Sequence, residues 1–182
     1  KNIAKAPADT KKDVVVKVED TIKEVTYPVQ LTAEQAASLT VVVNKKHKLP
    51  GEYVPSLVSI DNGELRPEAA EELQKLFDAA SSDGFSLKSI SAYRSYDKQV
   101  KVYNSFVEQY GQAQADTFSM RPGHSEHQTG LTVDVGNSNG NCDLDICFGV
   151  TPAGQWLETN AANFGFIVRY PKGKETETGL QY

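Results

Sequence analysis

Apolar residues recur at helical spacing between Pro67 and Gly84, where the chain has its clearest periodic pattern. One face of the predicted helix carries Ala69, Leu73, Leu76, Phe77 and Ala80. Proline is favoured in the first turn of a helix and glycine just after its end, so both flanking residues support these bounds. The pattern therefore predicts an amphipathic helix with one buried face.

Three other segments are predicted to be helical. Thr32 precedes a short helix, with Gln35 at the capping-box position. A second helix is expected from Asp97 to Tyr110, and a third begins at Pro152 and ends at Gly165. The residues expected to face inward from the second helix are Val100, Tyr103, Val107 and Tyr110.

Short segments between and after these helices are predicted to form strands. Residues 85–93 form one, and its alternation slips near Ser89, which predicts a bulge. Residues 131–135 alternate cleanly, residues 166–170 are expected to form the last strand, and residues 41–44 form a short buried strand or an extended run. Helices and strands mix without a regular strand–helix–strand spacing. We therefore expect an α+β fold with a small mixed or antiparallel sheet flanked by helices.

The composition is ordinary for a globular domain, with 39% hydrophobic and 24% charged residues in a chain of 182. A net charge of −5 argues against a nucleic-acid-binding protein, which normally has a basic surface. No apolar run approaches the 18 or so residues that a membrane-spanning helix needs.

Residues 1–30 differ from the rest, because up to Thr26 they lack glycine and aromatic residues and are rich in charge. This predicts a flexible linker or stalk followed by one domain over residues 31–182, although residues 13–18 could form a strand. A stalk suits a protein tethered to a membrane upstream. The start at Lys1, without methionine or signal peptide, indicates a processed or recombinant fragment.

Candidate chemistry is concentrated just before the strand at residues 131–135. Two of the three histidines, His124 and His127, lie there, and Asp134 follows seven positions after the second. A neutral imidazole and a carboxylate together suit zinc if a third ligand comes from elsewhere. The alternative is a polar loop whose histidines bind backbone carbonyls.

The two cysteines, Cys142 and Cys147, stand close together after an Asn-Gly-Asn turn sequence. Four intervening residues can close a small disulfide loop. The alternatives are a zinc site, which lacks further ligands nearby, two free thiols, or a redox motif, which lacks C-x-x-C spacing.

Three segments resemble one family. Residues 125–134 read S-E-H-Q-T-G-L-T-V-D and resemble the S-x-H-x-x-G-x-x-x-D signature of the VanY-type zinc carboxypeptidases of bacterial cell walls. Residues 91–99 resemble the arginine-bearing turn of that family, and residues 164–174 resemble the strand and loop before its final motif. The resemblance runs from about Thr40 to Tyr182. It implies the hedgehog/D,D-peptidase fold and trimming of peptidoglycan stem peptides by D,D- or L,D-carboxypeptidase activity.

The resemblance also implies roles for individual residues. His127 and Asp134 would bind Zn²⁺, Arg94 would bind the free carboxylate of the substrate with help from the Gln99 amide, and Ser125 would contact substrate near the metal. The alternatives are a surface ion pair for Arg94 and a local loop hydrogen bond for Ser125.

Three nearby residues are expected to play no direct part. Alternation turns Glu126 away from the metal, to an outer position or the surface. His124 is expected to bind the loop backbone or to support a metal ligand without touching the metal, and could itself be a ligand only if the loop doubles back. His47 is expected to lie in a solvated loop.

In this family the third ligand and the general base belong to a Glu-Pro-Trp-His segment, which does not occur up to Tyr182. We therefore expect the catalytic base after Tyr182, in a disordered or removed segment, and expect a chain ending there to fold without measurable activity. The alternative function is a non-catalytic peptidoglycan-binding module. The family implies a monomer acting at the cell envelope or outside the cell, where the Cys142–Cys147 disulfide would be stable.

Overall fold

The computed structural model describes residues 14–18, 21–25, 28–170, 173–178 and 180. The α-helices in these ranges are α1 (Ala33–Ala37), α2 (Pro67–Ser82), α3 (Tyr96–Tyr110), α4 (Gln112–Phe118), α5 (Pro152–Asn160) and α6 (Glu175–Thr178). The strands are β1 (Val14–Val18), β2 (Thr21–Val25), β3 (Val29–Gln30), β4 (His47–Lys48), β5 (Val58–Ile60), β6 (Gly63–Leu65), β7 (Leu87–Ser91) and β8 (Asp134–Asn137). Short 3-10 helices cover Glu126–Thr129, Ile146–Val150 and Ala161–Phe164.

The strands form four two-stranded ladders. Three are antiparallel, β1–β2, β5–β6 and β7–β8, and the fourth, β3–β4, is parallel. Helices flank these small ladders in an order without strand–helix–strand repeats. The α+β prediction is confirmed.

The predicted stalk overlaps the first ladder. β1 and β2 pair in antiparallel register from Val14 opposite Val25 to Val18 opposite Thr21. The valine run therefore does form a strand, as the alternative interpretation allowed. The remainder of the expected linker, apart from residues 28–30, lies outside the described residues.

Helix α1 begins as predicted at Thr32. The Thr32 hydroxyl accepts a hydrogen bond from the Gln35 amide, and the Gln35 side chain accepts one from the Thr32 amide, which completes the capping box. Residues 41–44 form no strand in the described chain, but Val43 is buried against Ala36 and Leu49. Only the extended-run alternative for that segment is therefore correct.

Helix α2 supplies one wall of the main core. Its buried residues are Ala69, Leu73, Leu76 and Ala80, and Phe77 packs against the cluster from a partly buried position. The predicted face is thus confirmed. Leu65 and Ala92 close the same cluster from β6 and from the end of β7.

The β7–β8 ladder contains the predicted bulge. Its register shifts between Ser89 and Ser91, so that Ser89 lies opposite Val135 and Ser91 opposite Asp134. The Asp61 carboxylate accepts hydrogen bonds from the Ser89 hydroxyl at 2.5 Å and from the Ser89 amide at 3.2 Å. The β5–β6 turn therefore fixes the irregular part of β7.

Two predicted strands need correction. β8 starts only at Asp134, because residues 131–133 follow the 3-10 helix and the Leu131 amide donates to the Thr129 hydroxyl. The three apolar residues of this stretch, Leu131, Val133 and Val135, nevertheless pack against the core as expected. Residues 166–170 form no ladder with any described strand. A strand was expected there, but a strand also requires a neighbouring strand with free backbone groups.

Helix α3 has nearly its predicted bounds, but Tyr110 does not face inward. Its side chain is partly exposed and packs edge-on against Phe118 of α4 and near Phe106. The turn at Gly111 places α4 directly beside the end of α3, so the aromatic contact forms between the two helices rather than in the core. No helix in the described ranges is long and apolar enough to cross a bilayer.

Helix α5 begins at Pro152 as predicted and ends earlier than expected, at Asn160. The 3-10 helix Ala161–Phe164 continues to Gly165, which has the left-handed conformation with φ of 76°. Just before α5, Cys142 and Cys147 form a disulfide with Cα atoms 5.5 Å apart. The disulfide closes a loop that is also held by an ion pair between Lys88 and Asp143.

A bidentate ion pair anchors the segment that leads into the histidine-bearing loop. Arg121 donates from Nε at 2.9 Å and from a terminal nitrogen at 2.6 Å to the two carboxylate oxygens of Asp116. The Tyr103 hydroxyl also donates to Asp116, at 2.8 Å. Hydrogen bonding from Arg121 is the main cause of a lowered pKa of the Asp116 carboxyl, and burial opposes it.

Replacing Asp116 with Asn should therefore destabilise the protein in a pH-dependent way. A lowered pKa in the folded state contributes stability above the pKa of the unfolded chain and loses it as pH falls through the folded value. We expect the substitution to cost about 1 kcal/mol at pH 7, because Arg121 is half exposed and water screens the pair. The difference from the original protein should shrink below about pH 4. Urea unfolding of both proteins at several pH values measures this difference in the free energy of unfolding.

Glu108→Gln is the matched control, since Glu108 is an exposed carboxylate on α3. It should leave the free energy of unfolding nearly unchanged over the same pH range. A destabilisation by Asp116→Asn that is equal at pH 7 and pH 3 would contradict the ionic role of Asp116.

Candidate functional site

Two backbone segments dock against each other to form the site. The turn after β7 carries Ala92 to Arg94, and the 3-10 helix carries Glu126 to Thr129. The Arg94 amide donates to the His127 carbonyl at 3.1 Å, and the Tyr93 amide donates to the Glu64 carbonyl at 2.9 Å. The turn is therefore held between β6 and the 3-10 helix.

The His127 ring is fixed by the same turn. Its Nδ1 lies 2.7 Å from the Ala92 carbonyl oxygen, which can only accept a hydrogen bond, so Nδ1 carries the proton. In the neutral ring the lone pair then lies on Nε2, which faces Asp134 Oδ2 at 3.4 Å. The sequence placed these two residues on neighbouring segments, and the structure brings their side chains face to face.

The geometry of this pair fits zinc. Two ligand atoms that each lie about 2.1 Å from a tetrahedral metal are about 3.4 Å apart, which is the separation seen between Nε2 and Oδ2. A histidine ligand that donates its other ring N–H to a carbonyl is also a usual arrangement in metal sites. Within residues 28–170, 173–178 and 180, no third histidine, cysteine, aspartate or glutamate joins the pair.

Arg94 lies on the same turn and is held by neutral groups. One terminal nitrogen donates to Gln99 Oε1 at 3.0 Å and the other to the Ser91 hydroxyl at 3.1 Å. No carboxylate in the described part of the chain forms an ion pair with Arg94, in contrast to Arg66, Arg121 and Arg169. The surface ion pair considered for Arg94 is therefore not present among those residues.

The structure changes the part played by Gln99. Its side chain is only 2% exposed, its Oε1 accepts from Arg94, and its Nε2 donates to the Met120 carbonyl at 2.6 Å. The amide was expected to donate toward a ligand, but the side chain is buried and one of its two N–H groups donates to the Met120 carbonyl. Its oxygen fixes the direction of the Arg94 guanidinium.

Three polar residues in and beside the 3-10 helix Glu126–Thr129 are buried: Ser125, Gln128 and Thr129. Gln128 donates to the Pro50 carbonyl at 2.9 Å, and the Thr129 hydroxyl donates to the Glu126 carbonyl at 2.6 Å. The Ser125 hydroxyl forms no hydrogen bond with a described residue. Sequence reasoning missed Gln128 and Thr129, although both lie inside the recognised motif, because their partners are backbone carbonyls that no side-chain pattern indicates.

Gly130 ends the 3-10 helix Glu126–Thr129 in a left-handed conformation that favours glycine. Its φ is 70°, and a Cβ atom there would meet the side chains of Pro55, Leu57 and Arg66 at 3.1 Å. The Gly130 carbonyl accepts a hydrogen bond from the Arg66 amide at 2.8 Å. The motif glycine thus lets the loop approach the start of α2 closely.

The other two histidines both form hydrogen bonds with Asn44. His124 Nδ1 binds the Asn44 carbonyl at 2.8 Å, which agrees with the expected bond to loop backbone. His47 Nδ1 lies 3.2 Å from the Asn44 side-chain oxygen and is half-buried in the β3–β4 ladder, so it is not the solvated loop residue that we expected.

Glu126 faces neither the metal pair nor open solvent. Its Oε1 accepts from Arg169 Nε at 2.7 Å, and its Oε2 accepts from the Tyr170 hydroxyl at 2.5 Å. Hydrogen bonding to Glu126 is also the main cause of a raised pKa of Arg169, against the opposing effect of burial. Alternation predicted that the Glu126 side chain turns away from the metal. Its partners lie 43 and 44 residues away in sequence, so local patterns could not predict them.

Comparison with known proteins relates this site to peptidases. A D-alanyl-D-alanine carboxypeptidase of Enterococcus faecalis (strain ATCC 700802 / V583) is 36% identical over 161 residues, which cover 81% of this chain and 56% of that relative. The structure of the LdcB LD-carboxypeptidase matches with a TM-score of 0.79 and 38% identity, over 89% of this chain and 80% of LdcB.

A variant of the vancomycin-resistance D,D-pentapeptidase VanY, solved in complex with Zn(II), matches with a TM-score of 0.66 and 33% identity over 78% of this chain and 82% of that chain. The family model for VanY, described as D-alanyl-D-alanine carboxypeptidase, matches residues 62–182 and so includes the arginine turn, the His127 loop and Asp134. The chain belongs to the VanY family of D-alanyl-D-alanine carboxypeptidases.

Proposed function

We propose that this protein is a zinc-dependent carboxypeptidase that removes a C-terminal D-alanine from peptidoglycan stem peptides. The observation that carries the proposal is the His127–Asp134 pair at the separation of two zinc ligands, next to the turn that holds Arg94. Family membership and the zinc-bound VanY neighbour support the same chemistry. The chain spans 56% of the E. faecalis relative, so the activity of the whole protein is part of the proposal.

His127 and Asp134 would hold the metal through Nε2 and Oδ2. When bound at such a site, zinc polarises the scissile carbonyl and makes a coordinated water easier to deprotonate. The Ala92 carbonyl keeps the His127 ring in the tautomer that leaves Nε2 free. We assign no general base to Glu126, since Arg169 and Tyr170 engage both of its carboxylate oxygens.

Arg94 would bind the carboxylate at the end of the peptide. Among the described residues, only Gln99 and Ser91 use donors of Arg94, which takes two of its five N–H groups and leaves three for a ligand. Both partners are neutral oxygens and leave the positive charge uncompensated. A carboxylate can therefore form charge-assisted, bidentate hydrogen bonds there.

Ser125 would add a hydroxyl contact to the bound peptide, two residues before His127. We further propose that the enzyme acts in the cell envelope or outside the cell, where its substrate is found. The Cys142–Cys147 disulfide supports this location, because such bonds persist in oxidising compartments.

Removing either proposed ligand should greatly weaken zinc binding at this site. In the full-length protein, His127→Ala and Asp134→Ala should each weaken zinc affinity at least about 100-fold, more than the loss typical of an outer residue. Release of D-alanine from tetra- and pentapeptide stems should fall with it. Competition with a chromophoric chelator measures affinity, and chromatography measures release.

His47→Ala is the matched control, because His47 lies in the β3–β4 ladder away from the pair. It should leave both quantities unchanged. Unaltered zinc affinity in His127→Ala would contradict the ligand assignment. Tight peptide binding without hydrolysis by the original full-length protein would favour a binding module instead.

Arg94→Ala should act mainly on substrates with a free carboxylate. We expect kcat/KM for such peptides to fall about 30- to 100-fold, the loss expected for a charge-assisted pair of hydrogen bonds. Amidated peptides should be affected little, and Arg94→Lys should restore only part of the rate because ammonium does not bind in a bidentate manner. Lys101→Ala, which removes an exposed cation from α3, serves as the control. Equal losses on free and amidated peptides would mean that Arg94 is structural.

A further inference from the structure

Glu126 links two parts of the chain that are distant in sequence. It lies in the 3-10 helix Glu126–Thr129, immediately before His127, and binds Arg169 and Tyr170 beyond α5. The Glu126 side chain is 14% exposed and that of Arg169 is 34% exposed. A partly buried, charge-assisted contact of this kind loses less to solvent screening than an exposed pair.

The segment that Glu126 holds has little other attachment in the described chain. Phe166 packs against the core and its amide donates to the Ala161 carbonyl at 3.1 Å. No backbone hydrogen bond joins residues 167–169 to another described residue, and Ile167 is 77% exposed. Side-chain contacts at Arg169 and Tyr170 therefore attach the end of this segment to the 3-10 helix Glu126–Thr129.

The position of Glu126 couples that segment to the ligand pair. Consecutive residues of a one-turn helix move together, so a shift of Glu126 would also shift His127. The Arg94 amide and the Ala92 carbonyl hold His127 from one side, and Arg169 and Tyr170 hold its neighbour from the other. The His127 ring is therefore held directly by Ala92, and the residue before it is held by Arg169 and Tyr170.

We propose that Glu126 is a positioning residue of the metal site. By binding Arg169 and Tyr170 it keeps the segment Phe166–Tyr170 against the 3-10 helix Glu126–Thr129. It thereby maintains the distance of 3.4 Å between His127 Nε2 and Asp134 Oδ2. The inference rests on the proposed zinc site. It assigns Glu126 no contact with the metal or the substrate and no part in proton transfer.

The test compares variants on both sides of the contact in the full-length protein. Glu126→Gln, Arg169→Gln and their combination are measured for zinc affinity by chelator competition. Hydrogen exchange of amides 166–170 is measured on the zinc-free protein. We expect each single variant to weaken zinc binding about tenfold, the loss typical of groups that orient a ligand. The double variant should be no worse than either single one, because both remove one interaction.

Tyr170→Phe is a milder change, since it removes the hydroxyl contact to Glu126 and leaves the Arg169 contact in place. It should weaken zinc binding less than Arg169→Gln does. Exchange at residues 166–170 should be faster in all these variants. Glu72→Gln is the control, because it breaks an exposed ion pair with Lys75 on α2 and should change neither measurement.

Three results would overturn the inference. Faster exchange with unchanged zinc affinity would show that the contact is structural only. Loss of kcat in Glu126→Gln at normal zinc affinity, with Arg169→Gln still active, would make Glu126 a catalytic residue. If the original protein neither bound zinc nor released D-alanine, the proposed function would fail together with this inference, whereas the first two results leave that function standing. Arg169→Gln and Tyr170→Phe keep the test decisive if Glu126 variants fail to fold.

Discussion

The site depends on the contact between the turn after β7 and the 3-10 helix Glu126–Thr129. One hydrogen bond runs in each direction, from the His127 ring to the Ala92 carbonyl and from the Arg94 amide to the His127 carbonyl. Because the two bonds share His127, the ring that offers Nε2 and the turn that carries the guanidinium cannot move independently. The two proposed zinc ligands and the proposed carboxylate-binding guanidinium are thereby held on segments that are bonded to each other.

The four arginines of the chain show how the structure keeps one positive charge available. Arg66, Arg121 and Arg169 each have a carboxylate partner, whereas within the described ranges Arg94 binds only the neutral oxygens of Gln99 and Ser91. Neutral acceptors fix the direction of a guanidinium without cancelling its charge. An anionic ligand then gains a full charge–charge interaction without first displacing an acidic side chain.

Sequence patterns within one segment correctly predicted the features that depend on that segment alone. The capping box at Thr32 and the apolar face of α2 follow from spacing within one helix, and both are present. The orientation of the Gln99 amide was missed because the Met120 carbonyl, 21 residues away, determines it. The expected strand at residues 166–170 was wrong because strand formation depends on a partner strand, and the sequence of one segment carries no information about its partner. Family signatures indicated His127, Asp134 and Arg94, but their geometry comes from tertiary contacts.

The bulge in the β7–β8 ladder determines that geometry. Its register shift places Asp134 opposite Ser91, and Ser91 in turn accepts a hydrogen bond from Arg94. One cross-strand pair thus connects Asp134, a proposed zinc ligand, to Arg94, the proposed carboxylate-binding residue. A slip of one residue would turn the Asp134 side chain to the other face of the ladder and separate it from His127, because side chains alternate along a strand. The Asp61 contacts with Ser89 stabilise this register at the point where it is irregular. The polar turn between β5 and β6, which touches neither candidate ligand, is therefore part of what places them together.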